Sequence, residues 1–350
     1  MKTEYVFLTE ETAENSGEIR KAGEIIKSGG LVAFPTETVY GLGGDALNPA
    51  SSAKIYAAKG RPSDNPLIVH IADLKDAEFI AEDIPDAFFK LADALWPGPL
   101  TMIVKKSGAV PYETTGGLDT VAIRFPSNRI ARALIRAGGG FIAAPSANRS
   151  GRPSPTMAQY CREDLDGLVE MIIDGGQVGI GVESTIVDLT EGEPTLLRPG
   201  YVTPGMLKEI LGGLSVDPTI YGNETSARPK APGMRYRHYA PSGELTIVEG
   251  STENVVSYIN EAVLEAKKAG KKTGVICAEE TAPLYGADRV FITGKRGDEE
   301  AAARELFRIL RMSDDEHLEV IYAEAFGSEG LGLALMNRMI KAAGHRIVRV

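Results

Sequence analysis

The 350-residue sequence predicts an α+β chain in three parts: a larger domain with a twisted, largely mixed sheet and helices over residues 1–211, a linker over 212–243, and a small α/β Rossmann-like domain over 244–350. Three observations carry this. Strand candidates outnumber helical ones in the first 210 residues and do not alternate with them regularly. Residues 212–243 are rich in Gly, Pro, Ser and Thr and have little periodicity. From Glu244 onward, short apolar strands alternate with amphipathic helices, the rhythm of a parallel α/β unit. The length also exceeds what one hydrophobic core usually serves.

Glu18 to Ser28 has helical spacing through Ile19, Ala22, Ile25 and Ile26, and Gly29-Gly30 ends it before a buried strand at Leu31–Phe34. Ser51 to Ala58 reads as a short helix stopped at Gly60. Leu67–Ile71 is a strand, Ile84–Leu95 a helix and Leu100–Lys105 a strand. Thr120–Arg124, Phe141–Ala144, Met171–Asp174 and Ser184–Leu189 are further apolar strands. Beyond the linker come strand Leu245–Glu249, helix Glu253–Ala269, and strands Thr273–Ala278 and Arg289–Thr293. Helix Glu299–Met312, strand Glu319–Ala323 and helix Gly330–Ala343 complete the reading.

Composition narrows the function classes. Apolar residues make up 43% and charged residues 25%, ordinary for a soluble globular protein. Cys161 and Cys277 are far apart, so neither a zinc site nor a disulfide framework is expected, and a reducing cytoplasm fits. The first twenty residues are charged and lack a signal-peptide core, and no apolar run approaches a membrane helix. A net charge of −10 argues against broad nucleic-acid binding. Within that acidic chain, Ser226–Gly243 holds Arg228, Lys230, Arg235 and Arg237 with no acid, either a solvated linker or a segment that folds over an anion.

Several separated segments combine Gly and Pro with cationic and small polar side chains. Lys59-Gly60-Arg61-Pro62 stands beside Asn65-Pro66, where a compact ammonium and a planar guanidinium can converge on one oxyanion; alone, it reads equally as a charged surface loop. Phe34-Pro35-Thr36-Glu37-Thr38-Val39-Tyr40-Gly41-Leu42-Gly43 sends a strand into an expected glycine-rich turn, whose glycines would admit a ligand to the backbone or simply form the turn. Pro145-Ser146-Ala147-Asn148-Arg149-Ser150-Gly151 offers hydroxyls and an amide to phosphate or ribose, or to local turns. Arg124, at a strand end, can clamp a carboxylate or form a salt bridge, while His70 alone reads as structural. His238 differs, because Arg235, Tyr236, Arg237 and Tyr239 surround it and could cover both phosphate and base. Gly-x-Gly-Gly at 41–44 is no Walker loop, and Gly327-x-x-Gly330-x-Gly332 has the wrong spacing for a dinucleotide fingerprint. The set suits a nucleotide ligand and chemistry done by charge stabilisation rather than by a protein nucleophile.

Taken in order with Trp96-Pro97-Gly98-Pro99-Leu100-Thr101, Val121-Ala122-Ile123-Arg124-Phe125-Pro126, Glu183-Ser184-Thr185-Ile186-Val187-Asp188 and Leu197-Arg198-Pro199-Gly200, these segments resemble the YrdC-type threonylcarbamoyl-AMP synthase family. Ala231 to Pro241, followed by a Rossmann-like unit, resembles its long two-domain branch. The resemblance implies a YrdC-like catalytic domain and a nucleotidyltransferase that makes L-threonylcarbamoyl-AMP and pyrophosphate from L-threonine, bicarbonate and ATP with Mg²⁺. Its product would pass to a tRNA threonylcarbamoyl transferase complex that modifies adenosine 37; direct tRNA binding stays open. Carried over by position, Thr38, His70, Arg124 and Ser184 would hold L-threonine, with Arg124 on its carboxylate. Lys59, Arg61, Asn65, Thr120, Ser146, Asn148, Ser154, Arg198, Tyr236 and His238 would contact the nucleotide, with Lys59, Arg61 and Arg198 as the catalytic cations. The linker would close over the site as a lid. The rival reading is an RNA-binding, translation-associated protein without ATP turnover.

Overall fold

The computed structural model describes residues 2–221, 230–231 and 239–350, which divide into two compact units. The first comprises Met1–Ser150 and Ser154–Arg235; the second comprises Gly151–Pro153 and Tyr236–Val350.

In the first unit the chain runs β1 (Glu4–Phe7), α1 (Gly17–Lys27), β2 (Val32–Phe34), β3 (Gly41–Asp45), α2 (Pro49–Lys59), β4 (Ile68–His70), α3 (Ala77–Ile80), β5 (Ala81–Glu82), α4 (Asp86–Leu95) and β6 (Leu100–Lys106). It continues through β7 (Thr120–Arg124), α5 (Arg129–Ala137), β8 (Ile142–Ala143), α6 (Ala158–Leu165), β9 (Met171–Asp174), β10 (Thr185–Asp188), β11 (Thr195–Arg198), α7 (Pro204–Leu211) and β12 (Ser215–Val216). Among the described residues these strands form one sheet in the order β1-β9-β2-β3-β8-β4-β7-β6-β10-β11-β12, with β5 on β6. Pairing is mixed: β4–β7 and β6–β10 are parallel, whereas β2–β3, β6–β7 and β10–β11 are antiparallel. Helices α1 and α5 bury Ile19, Ala22, Ile26, Ile130, Leu134 and Ile135 against Val32, Phe34, Met171 and Ile173.

Two sequence expectations change here. The run Gly41–Asp45 is a strand rather than a turn. Its glycines serve packing: a Cβ on Gly43 would stand 2.8 Å from Ile142 Cγ2 and 2.9 Å from Phe34 Cε1, so the ring of Phe34 occupies the space a side chain would need. The expected linker also begins later, because Ser215–Val216 pairs with Thr195–Leu196 at the sheet edge.

The second unit runs β13 (Glu244–Glu249), α8 (Thr252–Lys268), β14 (Thr273–Cys277), β15 (Arg289–Ile292), α9 (Glu299–Asp315), β16 (Val320–Glu324), α10 (Gly332–Ala342) and β17 (Ile347–Arg349). Its five described strands are all parallel, ordered β15-β14-β16-β13-β17. The glycine-rich approach to α10 is closed by protein, since Glu299 Oε2 accepts the Gly332 amide at 2.8 Å where a dinucleotide phosphate would otherwise sit.

Candidate active site

Register brings distant residues together. In the parallel β4–β7 pair His70 lies opposite Arg124, and in the antiparallel β6–β7 pair Arg124 lies opposite Thr101. Thr185 pairs with Leu100, which sets Ser184 at the entry of β10, and Thr101 Oγ1 is 2.8 Å from Ser184 Oγ. Arg198, on β11, donates from Nε to the Ser184 carbonyl at 3.0 Å and from Nη2 to Ser184 Oγ at 3.1 Å. Thr38, His70, Arg124, Ser184 and Arg198 are all buried.

The β2–β3 connection closes this cluster. Thr36 Oγ1 donates to the Val39 carbonyl at 2.6 Å, so the 2.9 Å contact between the two hydroxyls has Thr38 donating to Thr36. Arg124 Nη2 lies 2.8 Å from Glu37 Oε1, an ion pair with side chains only 5% and 13% exposed. The pair is poorly aligned for a hydrogen bond, and both Glu37 oxygens and Arg124 Nε lack hydrogen-bond partners among the described residues. Arg124 therefore does hold a carboxylate, and that carboxylate is the protein's own. His70 Nδ1–H donates to the Ile68 carbonyl at 3.1 Å. Burial, then the neighbouring Arg124 charge, pulls its pKa down to about 3, leaving a neutral imidazole.

A second cluster gathers around the end of α2. Asn48 caps this helix at its start, Pro49 occupies its first turn and left-handed Gly60 ends it. Lys59 is buried, and its Nζ donates to the carbonyls of Ser146 and Asn148, while Ser150 N–H donates to the Lys59 carbonyl at 2.8 Å. Ser146 bridges to Gly41 of β3, and its hydroxyl donates to Asn148 Oδ1 at 2.5 Å. Arg61 donates from Nε to the Asn65 carbonyl at 3.3 Å and from Nη2 to that of Pro66 at 3.1 Å. The two cations thus brace two different carbonyl-lined loops, instead of converging on one point as the sequence suggests. Ser154 Oγ donates to Glu183 Oε1 at 2.6 Å, which ties the end of this loop to the residue before Ser184.

The sequence-selected residues fall into these groups with three exceptions. Thr120 stands at the other end of β7 from Arg124, about 13 Å away at strand rise. Tyr236 and His238 lie outside the described residues, as do the rest of 222–229 and 232–238 in the expected lid. Sequence reasoning assigned no role to Thr36, Glu37, Thr101 or Glu183. All four stand in the motifs, but only pairing across strands brings them to the site. Both cysteines are buried, and no group of three or more His, Cys, Asp or Glu able to hold a metal occurs among the described residues.

A family model described as "Telomere recombination" matches residues 24–200, and one described as "Threonylcarbamoyl-AMP synthase, C-terminal domain" matches residues 202–344. The chain belongs to the threonylcarbamoyl-AMP synthase family. It is 50% identical to the threonylcarbamoyl-AMP synthase of Pyrococcus abyssi over 333 residues, covering 95% of this chain and 96% of that one. It is 45% identical to the Bacillus subtilis threonylcarbamoyl-AMP synthase over 352 residues, the full length of both. Among solved structures, P. abyssi Sua5 complexed with L-threonine matches at 47% identity with a TM-score of 0.92, covering all of both chains. No described helix is long and apolar enough to cross a membrane.

Proposed function

We propose that the protein is an L-threonylcarbamoyladenylate synthase, a nucleotidyltransferase that converts L-threonine, bicarbonate and ATP to L-threonylcarbamoyl-AMP and pyrophosphate. The observation that carries this reading is the full-length likeness to a family member solved with L-threonine. The site's chemistry agrees with it. The threonine amine and bicarbonate give a carbamate and water, and a carbamate oxygen then attacks the α-phosphorus of ATP, displacing pyrophosphate. An anionic oxygen needs no protein base or nucleophile. It needs cations where two anions meet, and donors fixed before the reaction begins.

Arg124 would exchange the Glu37 carboxylate for that of threonine, with Thr38, neutral His70 and Ser184 around the rest of the amino acid. Lys59 and Arg61 hold the loops that carry Ser146, Asn148 and Asn65, and these with Ser154 and Thr120 would line the nucleotide. Arg198, bound to Ser184, would face the junction of the two substrates. Tyr236 and His238 would add to the nucleotide side. Mg²⁺ fits as an ion carried on the ATP phosphates, because the donor set is cationic and hydroxylic and the Ser154–Glu183 pair offers oxygen ligands without a metal cage. When bound, it would screen phosphate charge. Transfer of the product to a tRNA-modifying partner completes the reading.

The test is pyrophosphate release from ATP by purified protein, with L-threonine and bicarbonate added singly and together and Lys59→Ala as control. Release that requires both and disappears in the variant is expected. Release indifferent to threonine would overturn the substrate assignment, and no release, beside an active relative, would overturn the reaction.

A further inference from the structure

Three residues from the middle of the chain, Gly151–Pro153, belong to the C-terminal compact unit, and side chains of that unit hold them. Arg311, on α9, is 1% exposed and donates to the Pro153 carbonyl from Nε at 3.0 Å and from Nη2 at 2.6 Å. Arg152 lies 3.7 Å from the Asp314 carboxylate, and the Gly151 carbonyl accepts the Ala240 amide at 3.0 Å. The same helix holds the chain where it leaves the linker. Asp314 Oδ1 accepts the Ser242 amide at 2.6 Å, and the Tyr239 ring packs on Phe307 at 5.1 Å between centroids. Tyr239 has φ +63°, a conformation that non-glycine residues keep only where their surroundings impose it.

A fully buried guanidinium is an expensive way to fill a core. An apolar side chain of the same volume packs there at no desolvation cost, so the arginine's contribution is to specify one arrangement of the loop it binds. That loop is short. Ser150, one residue before the held segment, is bonded to Lys59, and Ser154, one residue after it, is bonded to Glu183. With at most about 3.6 Å of reach per residue, a shift at Pro153 passes directly to both.

We propose that Arg311 is a positioning residue for the nucleotide: by holding the Pro153 carbonyl it fixes Gly151–Pro153, and so sets Ser146, Asn148 and Ser154 on either side of that segment in the same loop. This rests on the nucleotide reading of that loop. Arg311→Lys and Arg311→Met in the full chain should weaken ATP binding by about tenfold in calorimetry, the Met variant more than the Lys, because loss of one well-aligned hydrogen bond to the ligand costs about that much. Dissociation of L-threonine should be unchanged, and amide exchange at Ser150 and Ala240 should accelerate. Unchanged ATP affinity, or equal losses for ATP and threonine, would overturn the proposal. Should Arg311→Met not fold, Arg311→Lys decides alone. Lys59→Ala, measured alongside, separates the two ideas: if it keeps full ATP affinity, the nucleotide reading of the loop fails. If it loses ATP while the Arg311 variants keep it, only the positioning role fails.

Discussion

Replacing Glu37 by Gln preserves its shape and removes its charge, leaving the buried Arg124 guanidinium without the carboxylate it pairs with among the described residues. The two groups are 2.8 Å apart with side chains 5% and 13% exposed. Charge centres about 4 Å apart at an effective dielectric near 20 interact by about 4 kcal/mol. Breaking such a pair by removing one partner costs about 3–5 kcal/mol. The assay is a urea melt followed by fluorescence, since Trp96 is the only tryptophan and lies in the same unit, 6.3 Å between ring centroids from Phe125, the neighbour of Arg124. Glu37→Gln should lower the stability of this unit by about 3–5 kcal/mol. L-Threonine should then restore more stability to the variant than it adds to the parent, because its carboxylate supplies the missing counter-charge. An unchanged midpoint in the variant, or an equal threonine effect in both proteins, would refute the idea that Glu37 occupies the substrate's place on Arg124.

Gly43→Ala should destabilise the same unit by about 1–3 kcal/mol through overpacking against Phe34 and Ile142; an unaltered Trp96 melt would show that the β2–β3 approach has slack. The His70 pKa falls from 6.5 in the unfolded chain to about 3 in the fold, so its neutral form contributes stability that is complete above pH 6.5 and is lost as pH falls toward 3. Across that window the parent should lose about 1.4 kcal/mol per pH unit through this group. The difference in urea midpoint between the parent and His70→Gln should therefore narrow on acidification, and a constant difference would contradict a buried neutral imidazole.

What the sequence by itself determined were features written within a few residues. The helix read over Ser51–Ala58 is there with its Gly60 stop, extended at its start to Pro49 behind the Asn48 cap, and β7 begins and ends at the expected Thr120 and Arg124. The alternation after Glu244 is legible because each parallel strand is a short apolar run bounded by an amphipathic helix. The motifs contain most of the polar residues that cluster in the fold for the same reason: Gly, Pro and the polar residues beside them act locally. Only the tertiary structure decided which of these meet. Strand β3 was hidden because its glycines mimic a turn until Phe34 covers them, and β1 is defined by pairing with β9, far along the chain. Glu37 carries no local sign of its ion pair, which exists because β4, β7 and β6 lie side by side and bury Arg124 facing the β2–β3 connection. Nor does Gly151-Arg152-Pro153 reveal that it belongs with α9, where a guanidinium 158 residues away takes the Pro153 carbonyl. Local propensity acts over one or two turns, while burial and charge pairing act wherever the folded backbone brings groups within a few ångströms.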